Sequence, residues 1–330
     1  MAFALALTLG IVPMFGFALF IRWLDRFEEE PRWMLAGSFL WGAVIACGGA
    51  FVLNTLLGLS ILAVTGSEEA ANFGTTSFVA PVVEESLKGL AVLLVFACFR
   101  HEFDSIVDGI TYAGITATGF AAVENVLYIY RDGYTEHGLE GLWTVAFIRI
   151  VLVGWMHPFF TAFTGIGFAI ARTTRSPALR WSAPLLGLAL AMLTHAFHNT
   201  LAIWFGGVEG FALGIAVDWI GYACMAGFIG WRILCERDLL RRHLAEELAQ
   251  GRITAAQYAN ASSFTQVRAH VTAIVHGRYR ATRRFYQALG ELAHHKEHLE
   301  RHGDEHGHSA KIAEYRASLP GLAARASGRA

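Results

Sequence analysis

The chain has 330 residues, of which 55% are hydrophobic and 16% are charged. Soluble domains carry about 25% charged residues, so this composition argues against a soluble globular protein and favours a membrane protein. The net charge of -1 combines an acidic front with a tail, residues 236–330, that holds 15 Lys and Arg against 10 Asp and Glu. Neither part has the strongly basic surface of a nucleic-acid-binding protein.

Seven apolar runs are long enough to cross a bilayer, which takes roughly 20 residues for about 30 Å of hydrocarbon. The first run has no basic segment before it and is typical of a retained span, not of a removed signal peptide. Gly and Ala are abundant in the runs, which favours close helix packing in lipid. We predict an all-α, polytopic transmembrane bundle with spans at about 3–21, 34–56, 77–99, 106–130, 144–171, 183–204 and 209–231.

The connections between these spans alternate in basic residues. Residues 22–32 and 172–180 hold three arginines each, whereas 57–76 and 205–208 hold none. By the positive-inside rule the N-terminus lies outside and the chain ends in the cytoplasm. We predict a multi-pass protein of the cell membrane with a transmembrane domain of residues 1–232 and a cytoplasmic helical tail of residues 233–330.

The third span carries two adjacent acids and a lysine, Glu84, Glu85 and Lys88. An ionisable group at bilayer depth costs at least about 2.5–3.5 kcal/mol, so each needs a reason. Lys88 follows Glu84 by four residues, which predicts an ion pair and leaves Glu85 for another partner. A purely structural ion pair is the alternative, but two carboxylates exceed what one lysine neutralises.

The later spans add an acid, two amides and two imidazoles, namely Glu124 and Asn125, then His157, then His195 and Asn199. Each alone has a structural explanation as a packed core residue. With the orientation above and 1.5 Å per helical residue, however, side chains from four spans lie at a similar depth in the outer half of the membrane. That agreement favours one common site.

This set permits hydrolysis of a peptide bond by an activated water. Glu85 is the candidate general base, and His157 and His195 are candidate Zn²⁺ ligands. Without a metal, protonated His195 and Asn199 would hold the oxyanion. The sequence has no HExxH and no GxSxG motif, so an activated water is preferred to a covalent nucleophile. The spacing does not choose between the zinc and the metal-free mechanism.

Four ordered motifs resemble the PrsW family of intramembrane proteases: EESLK (84–88), DGITYAGITATGFAAVEN (108–125), HPFFTAFTG (157–165) and HAFHN (195–199). The resemblance covers roughly residues 10–232, and the family is more distantly similar to the CAAX prenyl endopeptidases. It implies an intramembrane endopeptidase, either a metalloprotease or a metal-free glutamate protease. It also implies a membrane-anchored protein substrate, such as an anti-sigma factor, that is cleaved on the extracytoplasmic side.

The residues and the resemblance together predict the members of the site. The predicted catalytic residues are Glu84, Glu85, His157 and His195. The predicted cofactor is Zn²⁺, with no cofactor as the alternative, and its predicted ligands are Glu85, His157 and His195. The predicted supporting residues are Lys88, Glu124, Asn125 and Asn199.

Two other functions remain open from the sequence. Carboxylates and histidines at bilayer depth also form proton relays, so a proton-coupled transporter is the main alternative, although the sequence shows no inverted repeat. A scaffold with a degenerate site is the second. The His-rich segment 294–308 is more typical of a solvated helix end than of a metal site, and we assign it no role.

Overall fold

The computed structural model describes residues 1–25, 27, 30–100, 103–205, 207–263, 266–304 and 307–328. Arg26 of the first basic loop, and Glu305 and His306 of the His-rich segment, lie outside these residues. The described residues contain helices and no strand, which confirms the all-α prediction. The helices are α1 Ala2–Leu24, α2 Arg32–Leu40, α3 Cys47–Thr65, α4 Glu68–Gly74, α5 Ala80–Cys98, α6 Ile106–Leu127, α7 Glu136–Phe147, α8 Met156–Thr173, α9 Pro177–Phe205, α10 Gly207–Ala249, α11 Ala255–Ala261, α12 Gln266–Val275, α13 Tyr279–His302 and α14 His308–Ser327.

Five helical stretches among the described residues are long and apolar enough to cross a membrane: Ala2–Leu24, Arg32–Thr65, Ile106–Thr173, Pro177–Phe205 and Gly207–Ala249. The count of about seven spans stays a prediction. One reason is that α5, the third predicted span, carries the three charged residues Glu84, Glu85 and Lys88 and is not among these five stretches. The other is that Ile106–Thr173 is a single apolar stretch of 68 residues, interrupted at Gly138, where φ is 63°.

The chain forms two compact units, one of Met1–Asp25 with Glu30–Ile229 and a second that includes Gly230–Ala330. The predicted division into a transmembrane domain and a cytoplasmic tail concerns where these parts lie in the cell, and it stays a prediction.

The first unit is built around α6, which is buried along most of its length. Ser105 and Asp108 form a capping box that starts the helix. The backbones of α6 and α8 approach so closely at Gly109 and Gly165 that a Cβ on either glycine would meet the carbonyl of the other. Small residues at such crossings let helices pack tightly in lipid. This contact places the C-terminal half of α6 beside the N-terminal half of α8.

The second unit is held together by a buried carboxylate on α10. The side chain of Glu247 is fully buried and accepts hydrogen bonds from Lys296 Nζ at 2.5 Å, Arg316 Nε at 2.9 Å and Arg252 at 2.7 Å. Charge-assisted hydrogen bonds of this kind satisfy a buried carboxylate. Glu247 therefore joins α10 to α13 and α14.

A second carboxylate of this unit, that of Glu297, makes the stability of the fold depend on pH. Burial raises the pKa of Glu297, but the hydrogen bond with His243 Nε2 (2.6 Å) and the charges of Arg301 and Arg242 outweigh burial and hold this pKa below its ordinary value. A carboxylate with a lowered folded-state pKa stabilises the fold above its unfolded pKa of about 4.3, and this contribution is lost as the pH falls through the lowered value.

We therefore expect amide protection in α13, the ratio of the intrinsic exchange rate to the observed rate at the same pH, to fall below roughly pH 4 in the intact protein, as carboxylate linkage predicts. The Glu297→Gln variant should show a smaller pH effect, and Glu314→Gln, which removes an exposed carboxylate of α14, should behave as wild type. An unchanged pH profile in Glu297→Gln would contradict this assignment.

Candidate functional site

Polar side chains from four helices meet inside the first unit, as the sequence analysis expected from their depth. Glu84, Glu85 and Lys88 come from α5, and they are joined by Glu124 of α6, His157 of α8 and His195 of α9. Glu85 and Lys88 are fully buried, and the exposed fractions of Glu84, His157 and His195 are 6%, 2% and 3%. Charged groups this deeply buried persist only when they are paired or bind a ligand.

Glu85 lies at the centre of the hydrogen bonds. Its Oε1 is 2.5 Å from Lys88 Nζ and 3.0 Å from His195 Nδ1, and its Oε2 accepts a hydrogen bond from Thr161 Oγ1 at 2.9 Å. Both oxygens of this carboxylate are therefore engaged. The contact with Nδ1 orients the His195 ring, whose Nε2 lies 4.0 Å from Glu84 Oε2.

The predicted ion pair of Lys88 with Glu84 is present, but Glu85, which the prediction had left for another partner, is the closer partner of Lys88. Lys88 Nζ is 2.5 Å from Glu85 but 4.0 Å from Glu84 Oε2. Residues at i, i+3 share a helix face, as residues at i, i+4 do. Here the ammonium of Lys88 points towards Glu85, at i, i+3, and not towards Glu84. The same Nζ lies 3.2 Å from His157 Nδ1 and 4.5 Å above the Phe120 ring.

A second carboxylate orients the other imidazole. Glu124 Oε2 is 2.9 Å from His157 Nε2 and also accepts a hydrogen bond from Arg149. Arg149 Nε donates to Asn125 Oδ1 at 2.9 Å, and its guanidinium lies 4.3 Å above the Tyr128 ring. Arg149 was not predicted from the sequence. The available signal was an isolated arginine inside the apolar segment FIRIVLV, at 147–153.

We expect the Arg149→Gln variant to lose activity about 10- to 100-fold, the usual range for residues that orient a ligand or catalytic group from behind. Without the guanidinium, Glu124 is free to turn away from His157. Activity should be partly restored in Arg149→Lys, which keeps the positive charge but not the fork that reaches both Glu124 and Asn125. The measurement is kcat for the peptide-bond hydrolysis that the sequence motifs predict, and equal loss in both variants would contradict the positioning role.

Glu84 differs from Glu85 and Glu124 because one of its carboxylate oxygens makes no hydrogen bond among the described residues. Asn54 of α3 donates a hydrogen bond to its Oε1 at 3.4 Å, whereas Oε2 is buried and has no hydrogen-bond partner among the described residues. Asn54 was also missed, although an amide within an apolar span is a signal of the same kind. This oxygen lies 4.0 Å from His195 Nε2 and 4.0 Å from Lys88 Nζ, beyond hydrogen-bond distance of both. Glu84 is thus the carboxylate of this cluster that is available to a water or an ion.

The donor set fits a divalent metal. Glu84, His157 and His195 each offer one ligand atom, and these three atoms lie within 4.8 Å of one another. Two imidazoles and a carboxylate are a common zinc ligand set. The cluster also holds three carboxylates against the two fixed cations Lys88 and Arg149, so that a further positive charge would balance it. The sequence predicted Glu85 in place of Glu84 among the ligands, and that choice stays a prediction.

Two polar residues of α9 lie apart from the cluster. Asn199, predicted to support the site, donates a hydrogen bond to the carbonyl of Thr76 at 2.9 Å and so holds α9 against the π-helical segment Thr75–Val79 that precedes α5. His198 pairs with Asp218 of α10 at 2.8 Å. The sequence analysis did not single out Asp218. Neither contact reaches Glu84, Glu85 or Lys88.

Comparisons with known proteins agree with the motifs. The sequence model of a family described as "PrsW family intramembrane metalloprotease" matches residues 30–228. Protease PrsW of Bacillus subtilis (strain 168) is 28% identical over 200 residues, which cover 58% of this chain and 80% of that protein. Protease PrsW of Oceanobacillus iheyensis is 26% identical over 194 residues, with the same two coverages.

Protease PrsW of Clostridioides difficile (strain 630) is 32% identical over 125 residues, which cover 38% of this chain and 50% of that protein. No solved structure matches the chain. The predicted family resemblance is confirmed by these matches, and they do not favour the transporter alternative, because these relatives are named proteases.

Proposed function

Because this chain belongs to the PrsW family of intramembrane proteases, we propose that it hydrolyses a peptide bond of a membrane-anchored protein at the cluster around Glu84. One observation carries the assignment of the site. A buried carboxylate oxygen without a hydrogen-bond partner among the described residues faces the imidazole of His195, whose other nitrogen is held by Glu85.

Hydrolysis needs an acceptor for a proton of the attacking water and a donor for the departing amine. Glu84 Oε2 is the proposed acceptor, since both oxygens of Glu85 are occupied by Lys88, His195 and Thr161. His195 Nε2, 4.0 Å from Glu84 Oε2, is the proposed donor to the developing oxyanion or to the amine. Glu85 is then a positioning residue for His195, and Glu124 plays the same part for His157.

In the metal-assisted form of the proposal, a metal is the cofactor, and Glu84, His157 and His195 would hold it. Glu84 Oε2 and His195 Nε2 would then be ligands, and the proton-transfer roles given above apply to the metal-free form. A divalent ion at this set would supply a Lewis acid for the scissile carbonyl. Two of the donor atoms, Glu84 Oε2 and His195 Nε2, already face each other, while His157 Nδ1 is in contact with Lys88 Nζ. Ligation of His157 through Nδ1 therefore requires the lysine to move aside.

The proposed substrate is a single-span protein, and an anti-sigma factor is the instance that the family resemblance implies. Support for the proposed site of cleavage comes from the loop charges, which predict the N-terminus outside, the tail in the cytoplasm and these residues in the outer half of the membrane. Cleavage near the extracytoplasmic side of the cell membrane follows from that depth.

The test is co-expression with a doubly tagged single-span reporter. We expect the His195→Ala variant to lose cleavage by at least about 100-fold, a typical cost of removing a catalytic acid–base group. His198→Ala is the matched control, because it removes an imidazole from the same helix that pairs with Asp218 instead. Equal cleavage in both variants would refute the proposed role of His195.

A further inference from the structure

Helix α12, Gln266–Val275, presents a row of apolar side chains away from the rest of its unit. Val267, Val271, Ile274 and Val275 are 40%, 54%, 60% and 78% exposed, at i, i+4, i+7 and i+8 spacing. The buried residues of the same helix, Gln266 and Ala273, lie on another face. We call Val267, Val271, Ile274 and Val275 the valine stripe. Four adjacent exposed aliphatic residues on one short helix are unusual for a water-facing surface and indicate an interaction site.

The charge around the valine stripe is of one sign. Residues 251–290 contain six arginines and no Asp or Glu, whereas residues 291–330 contain six Lys and Arg and six Asp and Glu. Among the six arginines, Arg268, Arg280 and Arg284 are exposed. A helix with an apolar stripe beside exposed arginines has the composition of a segment that lies in the interface of an anionic bilayer.

We propose that α12 binds an anionic bilayer surface, with the valine stripe inserted among the acyl chains and Arg268, Arg280 and Arg284 against lipid phosphates. The segment that carries α12 follows α10, which is itself long and apolar enough to span a membrane, so lipid is present at a high effective concentration. This binding is independent of peptide hydrolysis. Each arginine near such a surface raises the affinity roughly fivefold at low salt.

A bilayer fits the valine stripe better than a protein partner does, because insertion among acyl chains needs no specific pockets or anchor residues. Aliphatic side chains without aromatic anchors insert into acyl chains but make poor hot spots at protein interfaces, which favour Trp, Tyr and Arg in packed pockets. A helix of ten residues is also only marginally stable by itself. A bilayer that stabilises α12 should therefore slow the exchange of its amides.

The experiment is amide hydrogen exchange of the full chain in lipid nanodiscs. One set of discs contains phosphatidylcholine alone, and the other contains an equimolar mixture of phosphatidylcholine and phosphatidylglycerol. We expect the amides of α12 to exchange about tenfold more slowly in the anionic discs, and to lose most of that difference at high salt, because surface electrostatics is screened. Exchange in α13 serves as the internal control for folding.

Two variants separate the apolar and the charged contributions. Val271→Asp combined with Val275→Asp should remove the lipid difference, while Thr272→Asp, an exposed position of the same helix outside the stripe, should retain most of it. If the aspartates unfold the unit, α13 reports it, and Arg268→Gln with Arg284→Gln then provides the test with the stripe intact. Equal exchange of α12 in both discs, or equal slow exchange in detergent micelles, would overturn the proposal, the latter because it indicates a protein contact.

Discussion

Replacing Lys88 with methionine is expected to lower the free energy of unfolding of the first unit by about 3–5 kcal/mol, the usual cost of leaving a buried charge without its partner. Lys88 is fully buried, and its ammonium is the cation closest to Glu85. Methionine fills a similar volume but leaves the carboxylate of Glu85 without its ammonium partner inside an apolar helix bundle. Such a loss corresponds to a fall of roughly 10 °C in the apparent Tm.

The double variant with Lys88→Met and Glu85→Gln should recover most of this stability, since replacing both partners of a buried pair costs much less than removing one. Its activity should stay low, because the amide holds His195 less firmly than the carboxylate does. Thermal unfolding in detergent and reporter cleavage measure the two effects. A stable Lys88→Met protein would show that the lysine is not the counter-charge of this cluster.

The second large effect concerns metal binding and distinguishes the role of Glu84 from that of Glu85. We expect the purified protein to bind about one equivalent of zinc and Glu84→Gln to bind none, because an amide is a poor zinc ligand. Glu85→Gln should bind zinc about 10- to 100-fold more weakly, as is usual when the residue behind a ligating histidine is changed. The difference follows from the geometry, in which Glu84 offers a free oxygen and Glu85 contacts His195 Nδ1.

Elemental analysis and competition with a chromogenic chelator give the stoichiometry and the affinity. The control is Asp218→Asn, which alters a buried carboxylate outside the cluster. Retention of stoichiometric zinc in Glu84→Gln together with its loss in Glu85→Gln would assign the ligand to Glu85, as the sequence predicted. Fully active wild-type protein with substoichiometric zinc would contradict the metal proposal and leave the glutamate mechanism.

Six members of the cluster were predictable because a charge within an apolar helix is costly and therefore has a partner. This reasoning identified Glu84, Glu85, Lys88, Glu124 and the two histidines, and the helices bring them into contact. Their pairing was not predictable, because i, i+3 and i, i+4 neighbours share a face and side-chain rotamers decide between them. The roles of the two adjacent glutamates depend on that same choice.

Other features needed the tertiary structure. Arg149 lies 25 residues after Glu124, and nothing in the linear spacing indicates that the two pair. Asn199 shares a face with His195, which suggested a common site, yet it reaches only a backbone carbonyl, that of Thr76. The number of spans also depends on how a continuous helical stretch turns at Gly138, which hydropathy alone does not resolve.

The most direct measurement uses purified wild-type and Glu84→Gln protein in proteoliposomes with a single-span reporter, and mass spectrometry of the products. We predict that wild type cuts the reporter within or next to the outer half of its span and that Glu84→Gln gives no product, while Asp218→Asn cuts as wild type does. Cleavage by Glu84→Gln at the wild-type rate, or no cleavage by any of the three together with proton movement across the membrane, would contradict the assignment of this cluster as a peptidase site.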